Sequence, residues 1–297
     1  MAGFHDVHAL TWGRRDSKRA VLCVHGYSGN ARDFDVLASA LSPSARVVCI
    51  DVPGRGRSAW LTPMQYHFGQ FLADIRALLA RLGITEVDFV GTSMGGLLGM
   101  LLASQASSPI RSLVMNDVGA FLPSDALEEI GRNLAAPTIF PTLDAAEAHL
   151  RHTHRDGGPI SDAQFRHLTR HGVRRVEGGY ALHFDPQIAR IVRPIPYTPG
   201  LYFWDAWYRV RCPVMLLRGE RSRVFPADVA RTMCDARPGT RLVEIAGVGH
   251  VPSLLGEEQV ELVRDFLDLP GERHDVPVVS SGARHEPFQL PRPSRAA

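Results

Sequence analysis

Cysteine is scarce: four in 297 residues, far apart and with no C-x-x-C pair. Cys23 and Cys49 lie inside apolar, strand-like runs, where a free and buried thiol is the ordinary reading. That usage fits a reducing compartment, and the cytoplasm is the expected location. An excess of charge is also lacking. The 33 Lys and Arg against 31 Asp and Glu leave a net charge of +2, too little to favour nucleic acid or a membrane surface as a partner. No stretch approaches the about 20 apolar residues that a spanning helix needs. The opening "MAGFHDVHALTWGRRDSKRA" lacks the apolar run of a signal peptide. Nor is there an internal repeat or a tight metal-ligand pattern. His149, His152 and His154 fit no zinc-type spacing and read as solvated surface, so no metal or organic cofactor is expected.

What is present is ample core material: 45% of the residues are hydrophobic, enough for one large domain or two small ones. "AVLCV" (Ala20–Val24) and "RVVCI" (Arg46–Ile50) are continuous apolar runs, as expected of strands covered on both faces. Between them Phe34, Leu37, Ala38 and Leu41 recur at helical spacing. Phe68, Phe71, Leu72, Ile75, Leu78, Leu79 and Leu82 form one apolar stripe, and Gly83 marks its end. A strand before Ser93, a helix from about Gly95 and a strand "RSLVMND" (Arg111–Asp117) follow. The rhythm breaks from Phe121 to about Arg209, where prolines, histidines and arginines crowd in. Amphipathic pieces at Ala126–Leu134 and Ala145–Leu150 make this a mostly helical insertion. Strands resume with "CPVMLLRGE" (Cys212–Glu220) and "TRLVEIAG" (Thr240–Gly247), and a last helix carries Val260, Val263, Phe266 and Leu267 on one face. The Pro-, Arg- and Ser-rich stretch 270–297 is expected to be a disordered tail. Strands alternating with helices imply βαβ units and a mostly parallel sheet, with function at the carboxyl ends of its strands.

"GTSMG" sits between such a strand and such a helix, the context in which G-x-S-x-G makes a nucleophile elbow. The turn is so sharp that Gly91 and Gly95 are needed where strand and helix nearly touch. The strained corner lifts the Ser93 hydroxyl above the sheet edge, with a helix N-terminus beneath any oxyanion formed there. A serine needs a base, and "AGVGHVP" places His250 in a short loop after the last strand, at the same edge. Met94, next after the serine, supplies one backbone N–H of an oxyanion hole. Tyr27, in "HGYSGN" after an early strand, is the expected second donor, with His25 bracing that loop. "GRGRS" lacks the third glycine of a dinucleotide fingerprint and reads as a structural turn.

Taken in order, "HGYSGN", "DVPGRGRS", "GTSMGG" and "GVGHVP" resemble the α/β-hydrolase superfamily over nearly the whole chain to about Leu269, in a bacterial, esterase-like branch. The resemblance implies a core of residues 1–120 and 210–269 and a cap of residues 121–209 over the site. One position departs from the family pattern. An aspartate is usual after the strand "PVMLLRGE", but this chain has Ser222 and Arg223 there, with only Glu220 nearby. Asp117, ending the preceding core strand, is the favoured acid; Glu220, or a Ser-His pair without an acid, are the alternatives.

The expected activity is hydrolysis of small to medium, hydrophobic carboxylic esters through an acyl-enzyme, with Ser93, His250 and Asp117 as triad. A small-molecule ester is the expected partner. Rival readings are a carbon–carbon bond hydrolase of ring-cleavage products, an acyltransferase, and a non-catalytic ligand receptor on the same scaffold. The aromatics of "PGLYFWDAWYRV" either wall a substrate pocket or pack the insertion onto the core.

Overall fold

A computed structural model of the chain describes residues 4–135, 139–192, 198–269 and 294–295. The first half contains β1 (Ala9–Trp12), β2 (Ala20–Val24), α1 (Asp35–Leu41), β3 (Arg46–Ile50), α2 (Phe68–Arg81), β4 (Val87–Thr92), α3 (Met94–Ala103) and β5 (Ile110–Asn116). A long excursion follows: β6 (Phe121–Pro123), α4 (Ser124–Ala135), β7 (Ile139–Phe140), α5 (Leu143–Thr153), α6 (Asp162–Gly172), β8 (Val173–Val176), β9 (Gly179–Leu182), β10 (Gly200–Tyr202) and α7 (Trp204–Arg209). The remainder comprises β11 (Val214–Gly219), α8 (Ala227–Ala236), β12 (Arg241–Ile245), α9 (Glu257–Phe266) and β13 (Ser294–Arg295).

Among the described residues, eight strands form one sheet in the order β12-β11-β5-β4-β2-β3-β1-β13. From β12 to β3 all pairings are parallel, while β1 runs antiparallel to β3. Alternation along each strand sorts side chains to opposite faces. Leu22, Val24, Val48, Ile50 and Phe89 join a cluster with Phe71, Ile75 and Leu97 on one face. Val21, Cys23, Val47, Cys49 and Val90 join Leu37, Leu41, Val260 and Val263 on the other. Helices therefore cover both faces, which is why the central strands are mainly apolar. Gly83, at φ +67, turns the chain after α2, a left-handed conformation that glycine adopts without penalty.

Strand β2 is flanked by β3 on one side and β4 on the other. The connections leaving β2 and β4 therefore diverge, opening a crevice at the carboxyl ends of these strands. The loops after β2, β4, β5 and β12 carry Tyr27, Ser93, Asp117 and His250 to this edge.

The excursion is mainly helical, as expected, with α4 to α7 as its longer elements. Among the described residues it also holds five short strands, of which β7, β9 and β8 make their own antiparallel sheet and β6 pairs with β10 to close the segment at its neck. Strands of two to four residues are too short to display a period of two. Helix α6 is equally hard to read, because it buries only Phe165 and Thr169. The aromatics at the neck mostly pack: Trp207 has no exposed surface, and its Nε1 donates to the Met233 carbonyl at 3.1 Å. Of the stretch 270–297, expected to be a disordered tail, all but Ser294 and Arg295 lies outside the described residues. Those two residues pair antiparallel with Thr11 and Leu10. Among the described residues no helix is long and apolar enough to cross a membrane.

Candidate active site

The corner between β4 and α3 is tight enough to exclude almost any side chain but the serine. Ser93 sits at φ 51 and ψ −115, a region that an L-residue occupies only when its surroundings impose it. A Cβ on Gly91 would lie 2.3 Å from the Gly95 carbonyl carbon, and one on Gly95 would lie 1.9 Å from the Val24 oxygen. Helix and strands thus meet backbone to backbone. The Ser93 N–H donates to the Asn116 carbonyl at 2.8 Å, tying the strained residue to the end of β5.

His250 arrives from the loop after β12, and its Nε2 lies 3.1 Å from Ser93 Oγ. Its Nδ1 is 2.6 Å from Asp117 Oδ2. A carboxylate opposite Nδ1 fixes the proton there, leaving the Nε2 lone pair to face the serine hydroxyl. Asp117 is completely buried and lies at φ 60. Its Oδ1 accepts the Gly219 N–H at 2.9 Å, and its Oδ2 accepts the Ser222 hydroxyl at 2.6 Å. Ser222, at the position after β11 where an aspartate was awaited, therefore serves the carboxylate that stands one strand away. Glu220 faces elsewhere: its Oε2 accepts the Gly247 N–H at 2.7 Å.

The histidine loop leans on the excursion. Gly249 N–H donates to the Asp156 carbonyl at 2.7 Å and Ser253 N–H to the Gly157 carbonyl at 3.2 Å. Gln164 Nε2 adds a bond to the Leu255 carbonyl at 2.9 Å. Two neighbours in this region depart from a solvated surface. His149 packs its ring 5.1 Å from that of Phe140. His154 Nδ1 meets the Leu150 carbonyl at 3.1 Å, and burial lowers the pKa of both histidines. Only His152 of the three is exposed.

Across the crevice, the loop after β2 comes up against the serine: a Cβ on Gly26 would stand 3.6 Å from that of Ser93. His25 holds this loop. Its Nε2 accepts the Val52 N–H at 3.0 Å, so Nδ1 carries the proton and donates to the Gly26 carbonyl at 2.7 Å. Both nitrogens are committed in the neutral ring, and burial pushes its pKa down to about 4. Ser93, His250 and Asp117 are thus in hydrogen-bond line, with Met94 and the Tyr27 loop beside the serine. Ser222, the carbonyls of Asp156 and Gly157, and Arg55 escaped the sequence reading. Of these only Arg55 left a signal, a cation between two glycines.

Residues 19–257 match the family model described as alpha/beta hydrolase fold, and the chain belongs to that family. It is 36% identical over 275 residues to a 3-hydroxybutyrate-oligomer hydrolase of Cupriavidus necator, covering 90% of this chain and 94% of the relative. Among solved structures, a putative hydrolase from Rickettsia typhi superposes with a TM-score of 0.84 at 29% identity, covering 89% of this chain and 91% of that one. An α/β hydrolase from Novosphingobium aromaticivorans gives 0.80 at 33% identity, with 89% and 94% covered. The chain is accordingly a hydrolase of the α/β fold, of bacterial esterase-like kind.

Proposed function

We propose that the protein is a serine ester hydrolase acting through an acyl-enzyme, with Ser93 as nucleophile, His250 as general base and acid, and Asp117 as the orienting acid. The observation that carries this reading is the continuous line from Ser93 Oγ to His250 Nε2 at 3.1 Å and from His250 Nδ1 to Asp117 Oδ2 at 2.6 Å. As Ser93 Oγ bonds to the ester carbonyl carbon, its proton passes to His250 Nε2. The imidazolium then returns that proton to the departing alcohol. Water repeats the sequence on the acyl-serine, releasing the acid and restoring the hydroxyl. The backbone N–H groups of Met94 and Tyr27 hold the oxyanion in both halves. Residues 121–209 act as a cap whose α5–α6 turn braces the histidine loop.

The kinship with a 3-hydroxybutyrate-oligomer hydrolase supports short linear oligoesters of hydroxy acids as substrates. Their ester units are small and apolar, in keeping with the sequence expectation of small to medium esters. The test is a series of p-nitrophenyl esters of increasing acyl length together with dimers and trimers of 3-hydroxybutyrate. The wild type is expected to cleave short acyl esters and the oligomers, and Ser93→Ala to lose about 10⁴-fold or more in kcat. A folded Ser93→Ala protein with wild-type turnover refutes the proposal. Activity on p-nitrophenyl esters without cleavage of the oligomers refutes the substrate alone.

A further inference from the structure

Arg55 belongs to the turn after β3 and is among the largest side chains without exposed surface. Burying a guanidinium costs several kcal/mol unless something answers its charge, and the ordinary answer is a carboxylate. Among the described residues, none lies within ion-pair distance of Arg55. The carboxylate whose charge acts on it, Asp185, is engaged elsewhere: its Oδ2 accepts the Tyr66 hydroxyl at 2.7 Å and its Oδ1 the Gln187 N–H at 2.9 Å.

Arg55 is instead surrounded by neutral groups. Its Nε donates to the Tyr27 carbonyl at 2.8 Å and its Nη1 to the Pro53 carbonyl at 2.8 Å, while Nη2 lies 3.4 Å from Met94 Sδ. The rings of Tyr27 and Phe71 lie 5.9 and 5.2 Å from the guanidinium carbon. Burial lowers its pKa to about 10, which leaves it charged at neutral pH. Two of its partners, Tyr27 and Met94, are the residues whose N–H groups face the oxyanion in the mechanism above. Backbone bonds secure the turn as well: Gly56 N–H donates to the His183 carbonyl, and Asp185 N–H to the Gly54 carbonyl.

We propose that Arg55 is a positioning residue for the oxyanion hole. It ties the Tyr27 loop to the start of α3 and keeps a fixed, unneutralised positive charge behind the two N–H donors. The inference rests on the ester-hydrolase reading of Ser93. Its physical basis is that a preorganised charge in a dry site interacts more strongly with the tetrahedral intermediate, which carries a full negative charge, than with the neutral ester. The charge that no carboxylate meets among the described residues acquires its counter-ion during turnover.

The experiment compares full-length Arg55→Met and Arg55→Lys with the wild type. It measures kcat and KM on p-nitrophenyl butyrate, together with inhibition by an arylboronic acid and by p-nitrobutyranilide. The boronic acid forms a tetrahedral anionic adduct with serine, whereas the anilide is an uncharged ground-state analogue. In Arg55→Met, kcat is expected to fall about 10- to 100-fold, less than or equal to the loss of a direct oxyanion donor. KM and anilide inhibition should stay within about threefold, with the boronate weakened in step with kcat. Arg55→Lys should lie between Arg55→Met and the wild type.

A folded Arg55→Met protein with wild-type kcat overturns the proposal. So does equal weakening of boronate and anilide, the mark of a collapsed pocket. If Arg55→Met does not fold, Arg55→Lys decides: a reduced kcat with matching boronate loss supports the proposal, and wild-type kcat overturns it. Ser93→Ala run in parallel separates the two readings. Full activity there defeats the nucleophile assignment, whereas an inactive Ser93→Ala beside a fully active Arg55→Met defeats only the role of Arg55.

Discussion

Ser93 and His250 approach to 3.1 Å, yet the backbones that bear them are secured in unlike ways. The serine corner lies within the core, between β2 and β5, with glycine contacts so close that no methyl group fits. Its N–H bond goes to β5 and its neighbours are core strands. The histidine loop instead follows β12, an edge strand whose residues are exposed or half-buried. The core reaches it through Asn116 Nδ2, which donates to the Pro252 carbonyl at 2.9 Å, and the excursion reaches it through Asp156 and Gly157 of the α5–α6 turn and Gln164 of α6. The placement of Ser93 is thus a property of the sheet, while that of His250 depends on how the excursion packs. Steric necessity holds one half of the site, and a few hydrogen bonds of about 1 kcal/mol each hold the other.

That contrast breaks most severely at Gly95. A methyl group there meets the Val24 oxygen at 1.9 Å, a backbone atom that cannot step aside. Gly95→Ala is expected to lose at least about 4 kcal/mol of stability, read by denaturant unfolding or by failure to accumulate folded protein. Asp117→Asn attacks the histidine half without touching the serine. The amide no longer fixes the Nδ1–H tautomer, and kcat should fall about 10³- to 10⁴-fold with melting little changed.

Gly249→Val tests the brace itself, since even a Cβ stands 2.9 Å from that of Asp156. About 10-fold or more should be lost from kcat through misplacement of His250, with the circular-dichroism spectrum intact. An equal loss of stability from Gly249→Val and Gly95→Ala would erase the distinction between the halves.

The smallest effect concerns the β2 loop. His25 has its pKa depressed by burial to about 4, and a second ring proton would collide with the Val52 N–H. A depressed folded-state value means stability that is present above about pH 6.5 and is lost as pH falls toward about 4. His25→Gln should flatten that part of the acid-side stability curve, measured by urea unfolding across pH.

Much of the serine half was legible because its causes are local. Glycines at Gly91 and Gly95 around Ser93, apolar runs on either side and a helix that begins at once are all consequences of neighbours in the chain. His250 could be placed from strand order, which sends every strand end to one edge. The acid was harder, because Asp117 and Glu220 end adjacent strands β5 and β11, and only three-dimensional reach separates them. The short strands of the excursion were invisible, since strands of two to four residues carry no readable period.

By itself, then, the order of residues determined the alternating architecture, the strained corner and the loops that bear Ser93 and His250, because hydrophobic period and glycine sterics act over a few residues. Tertiary structure alone decided that Asp117 meets His250, that Ser222 serves that carboxylate, that Asp156 and Gly157 hold the histidine loop, and that Arg55 is buried with no carboxylate within ion-pair distance among the described residues. These are contacts between segments 28 to 133 residues apart, and they depend on distance and dielectric surroundings that no local pattern encodes.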